Sequence, residues 1–328
     1  MRIEYWAVLG RAWGRMKDLL FRPFDPVKWL VLAFCAWIAG LLDGRGGGGN
    51  GVRVGGGHGR GPGASVDPEN VLEGLRQALA AVRTGWEWVL GHWGATLVVF
   101  IGLPLLLALI LTLLWLTSRF KLIYLDNLVR GRAEVAEPWR RLGKLGDSLF
   151  AFRVAFGFAC LLVAGVLVAL LASLGIVSLA SSAKGWGVAG IVLAAMLFFV
   201  FVVAAIYLGL FLESFVVPIM YKHNLRAVPA WRAFLPWLSA DTTSFLLYGL
   251  FVLLLGIVTA LGIGVIGFAT CCVGFFLLWL PYVGTVLILP LLVTYRYLSL
   301  EFLAQFHPSL SVFPPPAPVA PEPTPAEN

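Results

Sequence analysis

The chain has 328 residues, of which 60% are hydrophobic and 12% charged, and its formal net charge is +7. Soluble domains carry about 45–50% apolar and about 25% charged residues, so the composition excludes an ordinary water-soluble domain. It predicts an all-α fold, an integral membrane bundle of about six transmembrane helices with amphipathic interfacial helices. The basic residues are spread over several segments rather than gathered on one face, which argues against nucleic acid as a partner.

Residues 1–23 read as an amphipathic interfacial helix. Trp6, Leu9, Trp13, Met16 and Leu20 recur at spacings of three and four, opposite Glu4, Arg11, Arg15, Asp18 and Arg22. Such a helix can lie in the inner headgroup layer or pack on the protein's own cytoplasmic face.

Residues 24–307 form the expected polytopic domain. A hydrocarbon core about 30 Å thick needs roughly 20 apolar residues per helix, and charge-free runs place spans at about 27–42, 95–117, 154–180, 188–212, 244–267 and 276–298. Six spans are expected, with five as the fallback, because Trp29–Leu42 alone would cover only about 21 Å. Asp25-Pro26 gives that segment a good helix start.

Lys and Arg then set the orientation. Eighteen fall on the side that holds the N-terminal helix, residues 118–153 and residues 213–243, and six fall on the other. Both termini are therefore expected in the cytoplasm of a multi-pass cytoplasmic-membrane protein. The implied partners are the lipid bilayer, with anionic lipid at the cytoplasmic face, and a further membrane protein.

Between the first two spans, the extracytoplasmic loop 43–66 contains Gly44–Gly63, with twelve glycines in twenty residues. Phosphate-cradling loops need glycines at set spacings with a Lys-Ser/Thr pair or a ribose-binding acid, and neither companion is present, so the tract reads as a linker. Asp67-Pro68-Glu69 then opens an amphipathic helix over 68–93, carried by Leu72, Leu75, Leu79, Val82, Trp86, Val89 and Trp93. Residues 118–153 and 213–243 read as cytoplasmic elbows of short helices, and residues 308–328 as a disordered, proline-rich tail.

Charges at a hydrocarbon boundary are costly unless paired or hydrated, which makes Arg119, Arg153, Glu213 and Arg296 the candidate site, with Asp126 and Asp147 just beyond. The expected arrangement is a salt-bridged ring with Glu213 as acceptor for Arg296 or Arg153. It can serve as a polar belt fixing helix register or as a substrate or proton site. Stripes of small residues, Gly165, Ala169, Ser173 and Gly256, Ala260, Gly264, suit close helix packing. Pro104 and Pro290 predict kinks.

No catalytic or metal constellation emerges. His58, His92, His223 and His307 fall two on each side of the membrane, and Cys35 and Cys160 lie within spans, while Cys271-Cys272 sit between the last two. No cofactor is implied.

Several short pieces together carry a resemblance: Phe21-Arg22-Pro23-Phe24-Asp25, Arg119-Phe120, Leu125-Asp126-Asn127, Glu137-Pro138-Trp139, Ser148-Leu149-Phe150, Phe215-Val216-Val217-Pro218-Ile219-Met220, Thr270-Cys271-Cys272 and Pro281-Tyr282-Val283-Gly284-Thr285. With them the chain resembles a family of uncharacterised bacterial polytopic membrane proteins, distantly similar to the membrane domain of some glycerophosphodiester phosphodiesterases. The resemblance implies a helical membrane fold and no activity, since the metal-binding residues of the phosphodiesterase barrel have no counterpart. The leading expectation is a non-enzymatic protein that organises or partners envelope components. The rival is a transporter or lipid-handling protein, which requires a water-accessible cavity lined by more than two ionisable groups.

Overall fold

A computed structural model describes residues 4–42, 91–180, 184–270, 273–306 and 310–313, together with a few positions between 76 and 88. The glycine tract, Asp67-Pro68-Glu69, most of the expected helix over 68–93, Cys271-Cys272, His307 and the tail beyond residue 313 lie outside the described residues. All regular elements described are helical. They are α1 Tyr5–Phe21, α2 Pro26–Gly40, α3 Trp93–Arg130, α4 Ala136–Arg141, α5 Gly143–Ala180, α6 Lys184–Phe211, a π turn Leu212–Val216, α7 Val217–His223, α8 Ala227–Ala240, α9 Thr242–Ala269, α10 Val273–Trp279 and α11 Val283–Phe306.

Five helical stretches are long and apolar enough to cross a membrane: Thr96–Arg130, Gly143–Leu174, Ala189–His223, Thr242–Ala269 and Val283–Phe306. The protein is thus a multi-pass membrane protein. The first expected span is the short apolar helix α2. Its start follows from local chemistry, because the Asp25 carboxylate accepts the N–H groups of Val27 at 2.9 Å and Lys28 at 3.3 Å, and Pro26 occupies the first turn. With 15 residues it is about 22 Å long. Leu32, Ala33, Cys35, Ala36, Ile38 and Ala39 bury one face of it against α3 and α11.

The expected elbows differ from the structure in one respect. Residues 118–130 do not bend away under the membrane but continue α3, whose 38 residues reach about 57 Å. Residues 143–153 likewise belong to α5, so the turn itself is only 131–142, containing α4. Gly131 ends α3 in the left-handed conformation, with φ of 66°. The charged residues after 117 did not stop the helix, because good helix formers such as Lys121, Leu122 and Leu125 follow without a breaker. In the second elbow, α6 runs through the π turn and α7 to Asn224, which is left-handed at φ 52°.

Burial is distributed unevenly along the long helices. Leu97 to Leu111 in α3, Phe158 to Leu170 in α5 and Val192 to Ile206 in α6 supply many exposed large apolar side chains, the surface that hydrocarbon must cover. The basic ends of α3 and α5 hold the core together with the π turn, α8, α9 and α11, with Leu122, Ile123, Leu125, Leu149, Phe215, Phe234, Phe245 and Phe302 fully enclosed. Phe215 is central to it, with ring centroids 5.1 Å from Phe245, 5.5 Å from Phe234 and 5.7 Å from Phe302.

The N-terminal helix packs on this core rather than standing apart in the headgroups. Its protein-facing stripe is Val8, Ala12, Met16, Leu19 and Leu20, laid on α11, while Trp6 and Trp13 from the expected apolar face remain exposed. Tyr5 donates to the Ser244 carbonyl at 3.3 Å. Burial, and secondarily the Asp241 carboxylate, raise its phenol above the ordinary value, which keeps the donor protonated.

Helices α3 and α5 pack closely where Gly146 faces Arg119. A Cβ on Gly146 would lie 2.7 Å from Arg119 Cγ, closer than real Cβ atoms approach, and 3.1 Å from its Cα, tighter than most such contacts. Gly146→Ala is therefore expected to push the two helices apart and destabilise the fold by about 1–3 kcal/mol. Thermal unfolding in a fixed detergent measures this, with Gly157→Ala as the control, since a Cβ there meets nothing within 4 Å.

Candidate functional site

The single ring of charges expected from the sequence is resolved into separate clusters at the basic end of the bundle. Arg119 pairs with Asp147 across α3 and α5, donating from Nε and Nη2 at 2.9–3.0 Å. Trp115 donates its indole N–H to the same carboxylate at 2.8 Å. Arg119 also lies over the rings of Trp115 at 4.4 Å and Trp139 at 5.0 Å.

Asp126 is more deeply placed, with its side chain 1% exposed. Three donors converge on one of its oxygens: Arg130 Nε at 3.0 Å, Arg141 Nη2 at 2.5 Å and the Tyr221 hydroxyl at 2.5 Å. They arrive from α3, α4 and α7, so this carboxylate ties both turns of chain to the end of α3. Neither Arg130, Arg141 nor Tyr221 stood out in the sequence, since each lies outside the charge-free runs that marked the boundary.

Glu213 occupies the π turn between α6 and α7. The turn has a local cause. Val217 donates its N–H to Leu212 O, one residue further back than an α-helix allows, and Pro218 has no N–H for the next bond. The Glu213 carbonyl is thereby left without either helical donor. Arg296 Nη1, reaching from α11, fills the vacancy at 2.6 Å. The side chain of Glu213 accepts from Lys121 of α3 and faces Arg153 Nη2 of α5 at 3.7 Å. Of the expected acceptor pairs, Arg153 meets the carboxylate, whereas the described contact of Arg296 goes to the backbone. Lys121, the close partner, was absent from the expected set.

A fourth cluster joins α1 to α11. Glu301 is buried, and it accepts from Arg11 Nε at 3.1 Å and from Arg15, whose guanidinium also lies 3.8 Å from the centre of the Phe313 ring. It was missed because it sits beyond the last apolar run.

Beside Glu213 opens a cavity of about 340 Å³ between α2, α3, α6, α9 and α11. Lys121, Glu213 and Arg296 give it three charged lining residues, and Tyr124, Tyr248 and Tyr295 add phenols, while Ala36, Val252, Gly256 and Leu292 make other parts of the wall apolar. Its long wall is α9, where Tyr248 to Thr259 cover about 16 Å. The cavity thus has a charged floor beside the π turn and a less polar extension along α9. Such a mixture suits binding and orienting a ligand. Among the described residues, no group of three or more His, Cys, Asp or Glu could hold a metal ion.

A family model matches residues 6–313, covering the helices and every cluster above. The chain belongs to DUF7544, a family of unknown function. No curated protein and no solved structure matches it. The match spans all five candidate membrane helices, so the charged cavity lies within the family's shared region.

The clusters differ in how much stability hangs on each. Removing one partner of a buried ion pair strands the other and costs about 3–5 kcal/mol, so Asp126→Ala is expected to lower stability by about that much. Glu213→Gln should also impair folding, though less, because the backbone bond to Arg296 survives. Arg22→Ala, breaking an exposed pair with Asp18, should leave stability unchanged. Unfolding midpoints in detergent would test this order, and an Asp126 variant as stable as the Arg22 variant would contradict it.

Proposed function

We propose that this protein is a non-enzymatic membrane protein that takes up and handles a ligand in the cavity above Glu213, as a transporter or lipid-handling protein. The observation that carries the reading is the cavity itself, lined by Lys121, Glu213 and Arg296. A purely organising role needs polar residues on surfaces, and it gives no reason to keep three charged groups around an open space in the bundle. Charges at this depth are costly, and a ligand that uses them supplies the reason.

In this proposal the chain lies in a bacterial cytoplasmic membrane with both termini inside, as the distribution of Lys and Arg favours. The charged floor then faces the cytoplasm, and anionic lipid gathers at that face. The distant likeness to the membrane domain of glycerophosphodiester phosphodiesterases enters only as a likeness of helical architecture. No bond of the ligand is broken in this scheme; the named residues bind and orient.

Water must reach the floor for such a role. Ser214 lines the cavity next to Glu213 and is half-buried. Ser214→Cys, placed in a chain whose four native cysteines are replaced by serine or alanine, is expected to react with a small charged thiosulfonate in sealed vesicles. Reaction from the cytoplasmic side alone supports the reading and its orientation. A cysteine inert to the reagent from both sides, in folded protein, would mean a dry cavity and remove the proposal.

A further inference from the structure

Helix α1 carries three faces. Its packed stripe runs from Val8 to Leu20 on the core, and Arg11, Arg15 and Asp18 make a polar side. On the third face, Trp6, Gly10, Trp13 and Lys17 fall within about 60° of one another around an axis of about 3.6 residues per turn. All four are exposed, Trp6 by 76% and Trp13 by 42%. Exposed indoles on a membrane protein belong where hydrocarbon meets the headgroups.

Beside this face lies a groove of about 480 Å³, walled by Trp6, Leu9, Gly10 and Trp13 of α1, by Leu255 of α9 and by Leu291 of α11. Gly10 leaves a notch between the two indoles, since a Cβ there would meet nothing within 4 Å. At one end Trp6 meets Phe251 of α9 edge to face, with ring centroids 5.8 Å apart. At the other, Lys17 holds its amine 5.8 Å from the centre of the Trp13 ring. The Thr259–Tyr295 pair, hydrogen-bonded at 2.9 Å, stands between the groove and the charged cavity.

We propose that the groove seats an acyl chain of an anionic phospholipid from the surrounding bilayer, with the headgroup phosphate held by Lys17 at the Trp13 end. Apolar walls select the chain, and charge selects the head. Arg11 and Arg15 are committed to Glu301, and Arg22 faces Asp18. Lys17 has no carboxylate partner among the described residues, so it is the cation of this helix left to meet an anion from outside. A zwitterionic headgroup would bring its own ammonium against the lysine, which favours an anionic one. The site does not rest on the reading of the cavity as a ligand site.

The test uses the full chain in phosphatidylcholine nanodiscs doped with a trace of phosphatidylglycerol that bears a photoreactive diazirine midway along one chain. A parallel sample carries the same diazirine chain on phosphatidylcholine. Labelled peptides are mapped by mass spectrometry. Labelling of the groove peptides, those containing Trp6–Trp13, Leu255 or Leu291, is divided by labelling of Leu97–Leu111, the exposed stretch of α3 that reports ordinary lipid contact.

That ratio is expected to be about fivefold higher for the anionic probe, the preference that one lysine beside the headgroups confers. Lys17→Gln should bring the two probes level, and Lys17→Arg should keep the preference. Gly10→Leu, which fills the notch, should lower groove labelling by both probes. Equal ratios in the native chain, a preference that survives Lys17→Gln, or labelling indifferent to Gly10→Leu would each overturn the assignment. Groove labelling below the α3 level with both probes would mean that another occupant, such as a second copy of the chain, covers the groove, and would overturn it as well. If Gly10→Leu shifts the unfolding midpoint in detergent, the exposed Lys17→Gln decides the matter. An inert Ser214→Cys removes the ligand cavity and leaves this lipid seat standing.

Discussion

Five helices are held in place through one residue, Glu213. Its carboxylate meets Lys121 of α3 and Arg153 of α5, its carbonyl accepts from Arg296 of α11, and its own backbone is the junction of α6 and α7. That concentration is possible only because Pro218 cannot donate, which widens the helix by one residue and turns an otherwise occupied carbonyl toward α11. A regular α-helix here would spend that carbonyl on Val217 and leave Arg296 to find another acceptor in a low-dielectric setting. The proline, the π turn and the arginine are therefore three parts of one constraint.

The remaining architecture follows from where such constraints lie. The four carboxylate clusters described sit toward the basic end of the bundle, and the enclosed aromatic core around Phe215 sits with them. The opposite halves of α3, α5, α6 and α9 carry apolar side chains that remain exposed. In lipid there is no hydrophobic gain from burying leucine against leucine instead of acyl chains, so these halves need not pack tightly. Ion pairs and backbone–side-chain bonds, which hydrocarbon cannot replace, decide where the helices converge.

This division also explains what could be read from the sequence. That the chain holds several helices long and apolar enough to cross a membrane was legible, because charge-free runs of that length are what hydrocarbon requires. Helix continuation past residue 117 was not, since charge marks the membrane boundary and says nothing about where a helix stops; Gly131 is the actual stop. The boundary charges Arg119, Arg153, Glu213 and Arg296 were recognisable by the same cost argument, but their partners were not. Which cation reaches Glu213 depends on the rotation of α3 about its axis, and a run of buried residues on every side of that helix hides its phase. In α1 the apolar periodicity pointed to Trp6 and Trp13, yet the packed stripe runs through Val8 and Ala12. Close approach to α11 favours small side chains there, and a hydrophobicity pattern ranks those below indoles.

A further void near the basic end is rich in cations yet poorly suited to an anion. A pocket of about 810 Å³ is lined by Arg130, Arg132, Arg141 and Lys222, four cations with no carboxylate in its wall. Yet Arg130 and Arg141 lie on Asp126, Arg132 faces Glu134 and Glu137, and Arg141 also faces Glu137 at 3.3 Å. Arg130, Arg141 and Lys222 moreover sit in the last turns of α3, α4 and α7, where a helix end presents up to about half a negative charge. These arginines are more than a third exposed or close to it, so solvent screens what field remains. The pocket is close to electrically balanced by its own framework. Around Glu213 the arrangement is different: Lys121 and Arg153 meet the carboxylate and Arg296 the backbone carbonyl, and Lys121, Glu213 and Arg296 all line a space bordered by five helices, where charges interact more strongly than at an open surface.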